Sequence, residues 1–87
     1  MIRKSIVVKN ESGLHARPAV KFVSTAKQFK SRLSVKVGDK TFNGRSIASI
    51  LSAGVTVGTT IALEFDGEDE NDAMEFLTAA IEAGLGE

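Results

Sequence analysis

The sequence predicts an α+β fold, a two-layer open-faced sandwich in which three helices cover one face of a four-stranded antiparallel sheet. Four segments have the residue pattern of strands, three have the spacing of helices, and the order is βαββαβα. Because the chain has only 87 residues and no linker-like stretch, we expect residues 1–87 to form a single domain.

The strand segments are recognised by β-branched residues and by alternation of apolar and polar positions. Ile2–Val8 is rich in β-branched residues and ends at a turn-forming stretch. Leu33–Val37 alternates with a period of two, and Gly38-Asp39 indicates a hairpin turn into a short return strand, Lys40–Asn43. Ile61–Asp66 alternates again, which predicts the fourth strand.

The helix segments are recognised by apolar residues three and four positions apart. The first follows Pro18, the second covers 47–51 with Ser46 as its N-cap, and the third begins after Asp69 and ends before Gly84. The predicted buried stripes of the first and third helices are Ala19, Phe22, Val23, Ala26 and Ala73, Phe76, Leu77, Ala80, Ile81.

Composition excludes several classes of function. Lysines plus arginines number 11, as do aspartates plus glutamates, so the formal net charge is zero and no bulk basic field favours nucleic acid. The absence of cysteine and the single histidine exclude disulfides, thiolate metal sites and histidine-cluster metal sites. No apolar run approaches membrane-spanning length, and the first residues do not resemble a secretory signal. We therefore expect a cytoplasmic protein with no cofactor, no metal and no membrane insertion.

The segment Gly13-Leu14-His15-Ala16-Arg17-Pro18 is the most informative part of the chain. Pro18 suits a first helical turn, because its ring fixes φ and its missing N–H needs no partner there. His15 is therefore predicted at or next to the N-cap, where free N–H groups and the positive end of the helix dipole favour anions. A nucleophile, an anion-binding helix end and the Arg17 guanidinium thus meet, and together they suit a phosphoryl group carried on His15.

We expect the phosphoryl oxygens to accept hydrogen bonds from the backbone N–H groups of Ala16 and Arg17 and from the guanidinium. The same residues resemble the active-site signature of HPr, the histidine-containing phosphocarrier family of the bacterial phosphoenolpyruvate-dependent sugar phosphotransferase system. The resemblance implies that His15 accepts the group on Nδ1 from enzyme I and passes it to a IIA-type permease component. The protein would then be a stoichiometric carrier, not an enzyme.

The resemblance extends to length, element order and the turn Arg45-Ser46-Ile47. It implies that Ser46 is the position which a dedicated serine kinase and phosphorylase act on in some bacteria, although an N-cap serine needs no such reason to be there. The second helix is too short to bury Ile47, Ile50 and Leu51 together, so we expect Ile47 and Leu51, with Val20, to form an exposed docking patch. Basic side chains at Lys21, Lys27 and Arg45 could steer acidic partners towards it.

Other functions remain open at this point. An RNA-binding module shares the βαββαβ order but needs strand aromatics for stacking, and the strands offer only Phe42 and Phe65. A small acylphosphatase-like hydrolase would use an arginine in an anion-binding loop and would not need His15. A regulatory paralogue would bind a partner without phosphoryl transfer, and a nitrogen-related phosphocarrier would use the same histidine with another donor and recipient. We expect a monomer.

Overall fold

The computed structural model describes residues 1–87, and the predicted order of elements is confirmed. Strand and helix boundaries lie within one residue of the prediction, except that the first helix begins at Ala16, three residues before the start predicted after Pro18. None of the helices is long and apolar enough to cross a membrane. The elements are β1 Ile2–Val7, α1 Ala16–Ala26, β2 Arg32–Val37, β3 Lys40–Asn43, α2 Ile47–Ser52, β4 Thr60–Asp66 and α3 Glu70–Glu82.

The four strands form one antiparallel sheet in the order β1-β4-β2-β3, which confirms the predicted fold class. The register places apolar residues opposite one another on the face that the helices cover: Leu33 pairs with Phe65, and Val35 pairs with Leu63. A slip of one residue would turn these side chains towards solvent, so the alternation seen in the sequence fixes the pairing.

A single cluster of 17 buried apolar residues lies between the sheet and the helices. The predicted stripe of α1 is buried throughout, but the prediction for α3 is wrong at Phe76, whose side chain is 54% exposed. Ala73, Leu77 and Ile81 already fill the face that α3 turns towards the sheet. Phe76 lies beside that face and packs against Phe29, with ring centroids 5.7 Å apart.

Asp69 occupies the predicted N-cap position of α3, but its side chain makes no hydrogen bond to its own helix. Its carboxylate accepts instead from the N–H groups of Lys30 and Ser31, at 2.8 and 2.9 Å, and from the Ser31 hydroxyl. These bonds join the connection between α1 and β2 to the start of α3. The Ser31 hydroxyl, followed by the Lys30 N–H, lowers the pKa of Asp69 below its ordinary value of 3.8.

Arg45 also binds the connection between α1 and β2. Its Nη1 donates to the carbonyl oxygens of Ala26, at 3.2 Å, of Ser31, at 3.3 Å, and of Phe29. Carbonyls at the end of a helix lack intrahelical partners and carry the negative end of its dipole, so a guanidinium satisfies both needs. The guanidinium is thus engaged in the fold, unlike the free steering charge that the sequence suggested.

Candidate active site at the start of helix α1

His15 is the N-cap residue of α1, as predicted, and its backbone is extended with φ −120° and ψ 161°. Its side chain is exposed and makes no capping hydrogen bond. The N–H groups of Ala16 and Arg17 precede the first intrahelical bond and donate to no other backbone carbonyl. An accessible imidazole thus stands beside two unused backbone donors at the positive end of a helix dipole.

The backbone between His15 and Arg17 is in an uncommon conformation. Ala16 has φ +52°, in the left-handed region that a Cβ disfavours by about 1–2 kcal/mol. Local strain of this kind persists only where neighbouring structure imposes it, and it is concentrated at functional sites. No signal in the sequence predicts it, because alanine gives no indication of a positive φ.

Arg17 lies in the first turn of α1, is exposed, and takes part in none of the ion pairs of the protein. A cation at this end of a helix opposes the dipole, so the residue does not stabilise α1. Its guanidinium is exposed and holds no carboxylate in an ion pair. The predicted phosphoryl-site residues His15, Ala16 and Arg17 thus lie in succession at the start of α1, and all three are exposed.

The loop that leads into His15 is anchored from one side by the segment between α2 and β4. Gly13 has φ +59°, and a Cβ at this position would collide with the carbonyl oxygen of Val55. The same oxygen accepts a hydrogen bond of 3.0 Å from the Leu14 N–H, and the Leu14 side chain is fully buried. Position 13 therefore requires glycine, because a side chain would both strain the backbone and collide with Val55.

A second anchor comes from the far end of the chain and was missed in the sequence. The Glu87 carboxylate accepts from the Ser12 hydroxyl at 2.6 Å, from the Ser12 N–H at 3.1 Å and from Asn10 Nδ2 at 3.2 Å. We call Asn10, Ser12 and Glu87 the Glu87 clamp. The two bonds from Ser12 are the largest causes of a lowered Glu87 pKa, and the Asn10 amide and the Arg17 charge add to the effect.

The three predicted docking residues are exposed on two helices that pack against each other. Val20 of α1 is 51% exposed, while Ile47 and Leu51 of α2 are 42% and 40% exposed. Ile50 between them is fully buried, so α2 buries only one of its three large apolar residues, as predicted. We call Val20, Ile47 and Leu51 the apolar patch.

Ser46 is the N-cap of α2, as predicted. Its Oγ accepts a hydrogen bond of 3.2 Å from the Ser49 N–H. Its side chain is half-buried and directly precedes Ile47 of the apolar patch. A local structural reason for serine at this position is therefore present.

An open-faced sandwich that presents its one histidine, exposed, at the start of a helix is typical of small proteins that carry a phosphoryl group. Comparison with known proteins agrees with this class. The family model described as "PTS HPr component phosphorylation site" matches residues 2–83. The chain therefore belongs to the HPr family of phosphocarrier proteins of the phosphotransferase system.

Individual relatives match over nearly their whole length. The phosphocarrier protein HPr of Neisseria meningitidis serogroup A is 45% identical over 87 residues, covering 100% of this chain and 98% of the relative. A crystal structure of HPr from Thermoanaerobacter tengcongensis has a TM-score of 0.97 at 42% identity, with 100% and 98% of the two chains covered. A crystal structure of an HPr dimer from the same organism has a TM-score of 0.80 at 42% identity and covers 100% of both chains.

Proposed function

We propose that His15 accepts a phosphoryl group from phosphorylated enzyme I and passes it to a IIA-type component of sugar uptake. The observation that carries this proposal is the exposed imidazole at the N-cap of α1, beside the free N–H groups of Ala16 and Arg17. An acceptor on an open surface can be reached by two large partners in turn, which a histidine inside a pocket could not.

In the transfer, the lone pair of Nδ1 attacks phosphorus while the bond from phosphorus to the donor group of enzyme I breaks. The neutral imidazole is the nucleophile, and Nε2 retains the ring proton. The phosphoryl oxygens then accept hydrogen bonds from the Ala16 and Arg17 N–H groups and from the Arg17 guanidinium. Transfer to the recipient reverses these events, so the protein is regenerated as a carrier and needs no cofactor.

The apolar patch is the proposed docking surface for enzyme I and for IIA-type recipients. Its three side chains lie on α1 and α2, and His15 directly precedes α1. Exposed apolar side chains with a polar rim favour association without a permanent complex. We further propose that the protein, as a single domain of residues 1–87, acts as a cytoplasmic monomer, since a monomer leaves this surface free for each partner.

Ser46 is the proposed regulatory site for a dedicated serine kinase and phosphorylase. A phosphate on its Oγ would lie at the start of α2, where the dipole favours negative charge. The same charge would stand next to Ile47 of the apolar patch and would disfavour docking of an acidic partner. Transfer from enzyme I would then be slower in the Ser46-phosphorylated form.

The test is to incubate the protein with phosphoenolpyruvate and enzyme I and to follow an acid-labile phosphoryl adduct by mass spectrometry. We expect one adduct on the native protein and none on His15→Ala. Arg3→Ala, which removes an exposed side chain from β1 outside the site, is the control and should be phosphorylated normally. An adduct that persists in His15→Ala, or none on the native protein, would contradict the proposal. Presenting the phosphorylated protein to a panel of IIA proteins, including nitrogen-related ones, then identifies the recipient.

A further inference from the structure

Asn10 lies in the loop that leads from β1 to His15, and its carboxamide is buried. The residue is only 7% exposed, and its Nδ2 donates to the Gly13 carbonyl at 2.6 Å and to the Glu87 carboxylate at 3.2 Å. Both partners are acceptors only, so the amide group must present its NH₂ to them and cannot be flipped. Its Oδ1 accepts no hydrogen bond from the protein, which shows that the donor side of the amide is the part the fold uses.

Asn10 and Gly13 are joined by two hydrogen bonds, and each residue donates one of them. The Gly13 N–H donates to the Asn10 carbonyl at 3.0 Å, and Asn10 Nδ2 donates back to the Gly13 carbonyl. The next N–H, that of Leu14, is bound to Val55, and the N–H of His15 donates to the Ser12 carbonyl at 3.3 Å. Asn10 therefore holds the backbone of Gly13 in place, and Gly13 is only two residues before His15.

We propose that Asn10 is a positioning residue for phosphoryl transfer, acting through the Gly13 carbonyl to hold His15 in place relative to the free N–H groups of α1. The inference rests on the proposed function of His15. The side chain of His15 itself makes no capping hydrogen bond, so the placement of its ring depends on the backbone that precedes it. Transfer rates are sensitive to displacements of about 1 Å, even when these arise away from the reacting atoms.

The test is Asn10→Asp, which keeps the shape of the side chain and replaces its donor by an acceptor. The new carboxylate oxygen would face the Gly13 carbonyl and the Glu87 carboxylate, so the loop must move. We expect the maximal rate of transfer from enzyme I to His15 to fall by about tenfold or more, with the KM for enzyme I nearly unchanged, because the apolar patch is not altered.

Two further variants separate positioning from loss of stability. Ala73→Gly weakens α3 far from the loop, and its rate, measured well below its melting temperature, should remain native. When Asn10→Asp is combined with Glu87→Gln, the new glutamine amide can donate to the carboxylate introduced at position 10. This restores the bond across the Glu87 clamp but not the bond to Gly13. We expect the double variant to regain melting temperature while its transfer rate stays low.

The native protein must accept a phosphoryl group in the same assay, so failure of the proposed function would be seen separately. A native rate in Asn10→Asp would overturn the positioning role, and so would an equal loss in Ala73→Gly. Full recovery of rate in the double variant would assign the effect to Glu87 and overturn the role of the Gly13 bond. If Asn10→Asp does not fold, Asn10→Ala, which introduces no charge, serves for the same comparison.

Discussion

The two ends of helix α1 are built in opposite ways. At the C-terminal end, the Lys27 N–H bonds to the Val23 carbonyl at 2.9 Å, and Arg45 reaches across from the start of α2 to bind the Ala26 carbonyl and two carbonyls beyond it. The last turn of α1 contains no basic residue of its own. A cation from elsewhere in the chain thus supplies the charge and the donors that this end requires.

At the N-terminal end, the comparable groups are left without partners. The His15 side chain does not cap the helix, and the Ala16 and Arg17 N–H groups bind no backbone carbonyl. The backbone at Ala16 is in the left-handed region, and the only charge in the first turn has the unfavourable sign. The C-terminal end of this helix is therefore stabilised, and we call it the stabilised end. The N-terminal end has the free donors at which we propose that the phosphoryl group binds, and we call it the reserved end. Substitutions at the two ends should separate activity from stability.

Removing the arginine at the reserved end should have the greatest consequence. Arg17→Ala should lower the rate of transfer to His15 by about 100-fold, because one charged donor to the phosphoryl oxygens is lost. Its melting temperature should change little, since the arginine makes no ion pair and its unfavourable position on the dipole offsets its attraction to Glu87, the smallest cause of that carboxyl's lowered pKa. Single-turnover transfer from enzyme I and thermal unfolding measure the two quantities. Arg32→Ala is the matched control, because it also removes an exposed arginine that makes no ion pair. An equal slowing in that variant would contradict a local role for Arg17.

The converse substitution is at the stabilised end. Arg45→Ala should lower the free energy of unfolding by about 2 kcal/mol, because three carbonyls lose a charged donor. The transfer rate of the folded protein should remain close to native, since no contact of Arg45 involves the loop before His15. Urea unfolding measures the first quantity, with Lys21→Ala as a control for loss of one exposed positive charge. Equal destabilisation by Lys21→Ala would show that net charge, and not the helix end, is responsible.

The pH dependence of stability probes the stabilised end by another route, because Asp69 holds the connection just beyond the C-terminal end of α1. Its folded pKa is lowered, chiefly by the Ser31 hydroxyl, below the ordinary value of 3.8. Its contribution to stability is therefore complete above that value and is lost as the pH falls through the folded pKa. The melting temperature of Asp69→Asn should lie below that of the native protein at neutral pH and approach it below pH 3.8. Asp72→Asn, in the same helical turn, should show a much smaller difference, and equal behaviour of the two variants would contradict a specific role for the bonds to Lys30 and Ser31.

At both ends of α1, the sequence predicts the local residues but not the distant partners that bind them. His15 and Arg17 at the start of α1 and the Ser46 cap of α2 were predicted correctly, because they depend on local spacing and on the chemistry of helix starts. Asp69 lies at the predicted N-cap position of α3, but its carboxylate does not cap that helix. The partners that complete each end could not be found this way. Glu87 binds Ser12 across 75 positions, so the bond depends on how the elements pack and not on a pattern in the chain.

The sequence also could not predict which residues of an apolar helical stripe are exposed. Phe76 has the spacing of a core residue, yet it is exposed because smaller residues fill the face towards the sheet. The reverse holds for the apolar patch, where the short length of α2 was enough to predict that Ile47 and Leu51 stay outside. Periodicity identifies which face is apolar, but only the packing of the layers decides where that face ends.

A subtler change tests the backbone at the reserved end. Ala16→Gly relieves the Cβ strain at φ +52°, which favours the native state by about 1–2 kcal/mol, while glycine makes the unfolded chain more flexible and offsets up to about 1 kcal/mol of this. We expect a free energy of unfolding that is unchanged or slightly higher. Ala79→Gly, at an exposed position inside α3, should lose about 1 kcal/mol, because there glycine relieves no strain. Urea unfolding compares the two variants, and equal losses in both would show that the turn between His15 and Arg17 is not held in the left-handed conformation.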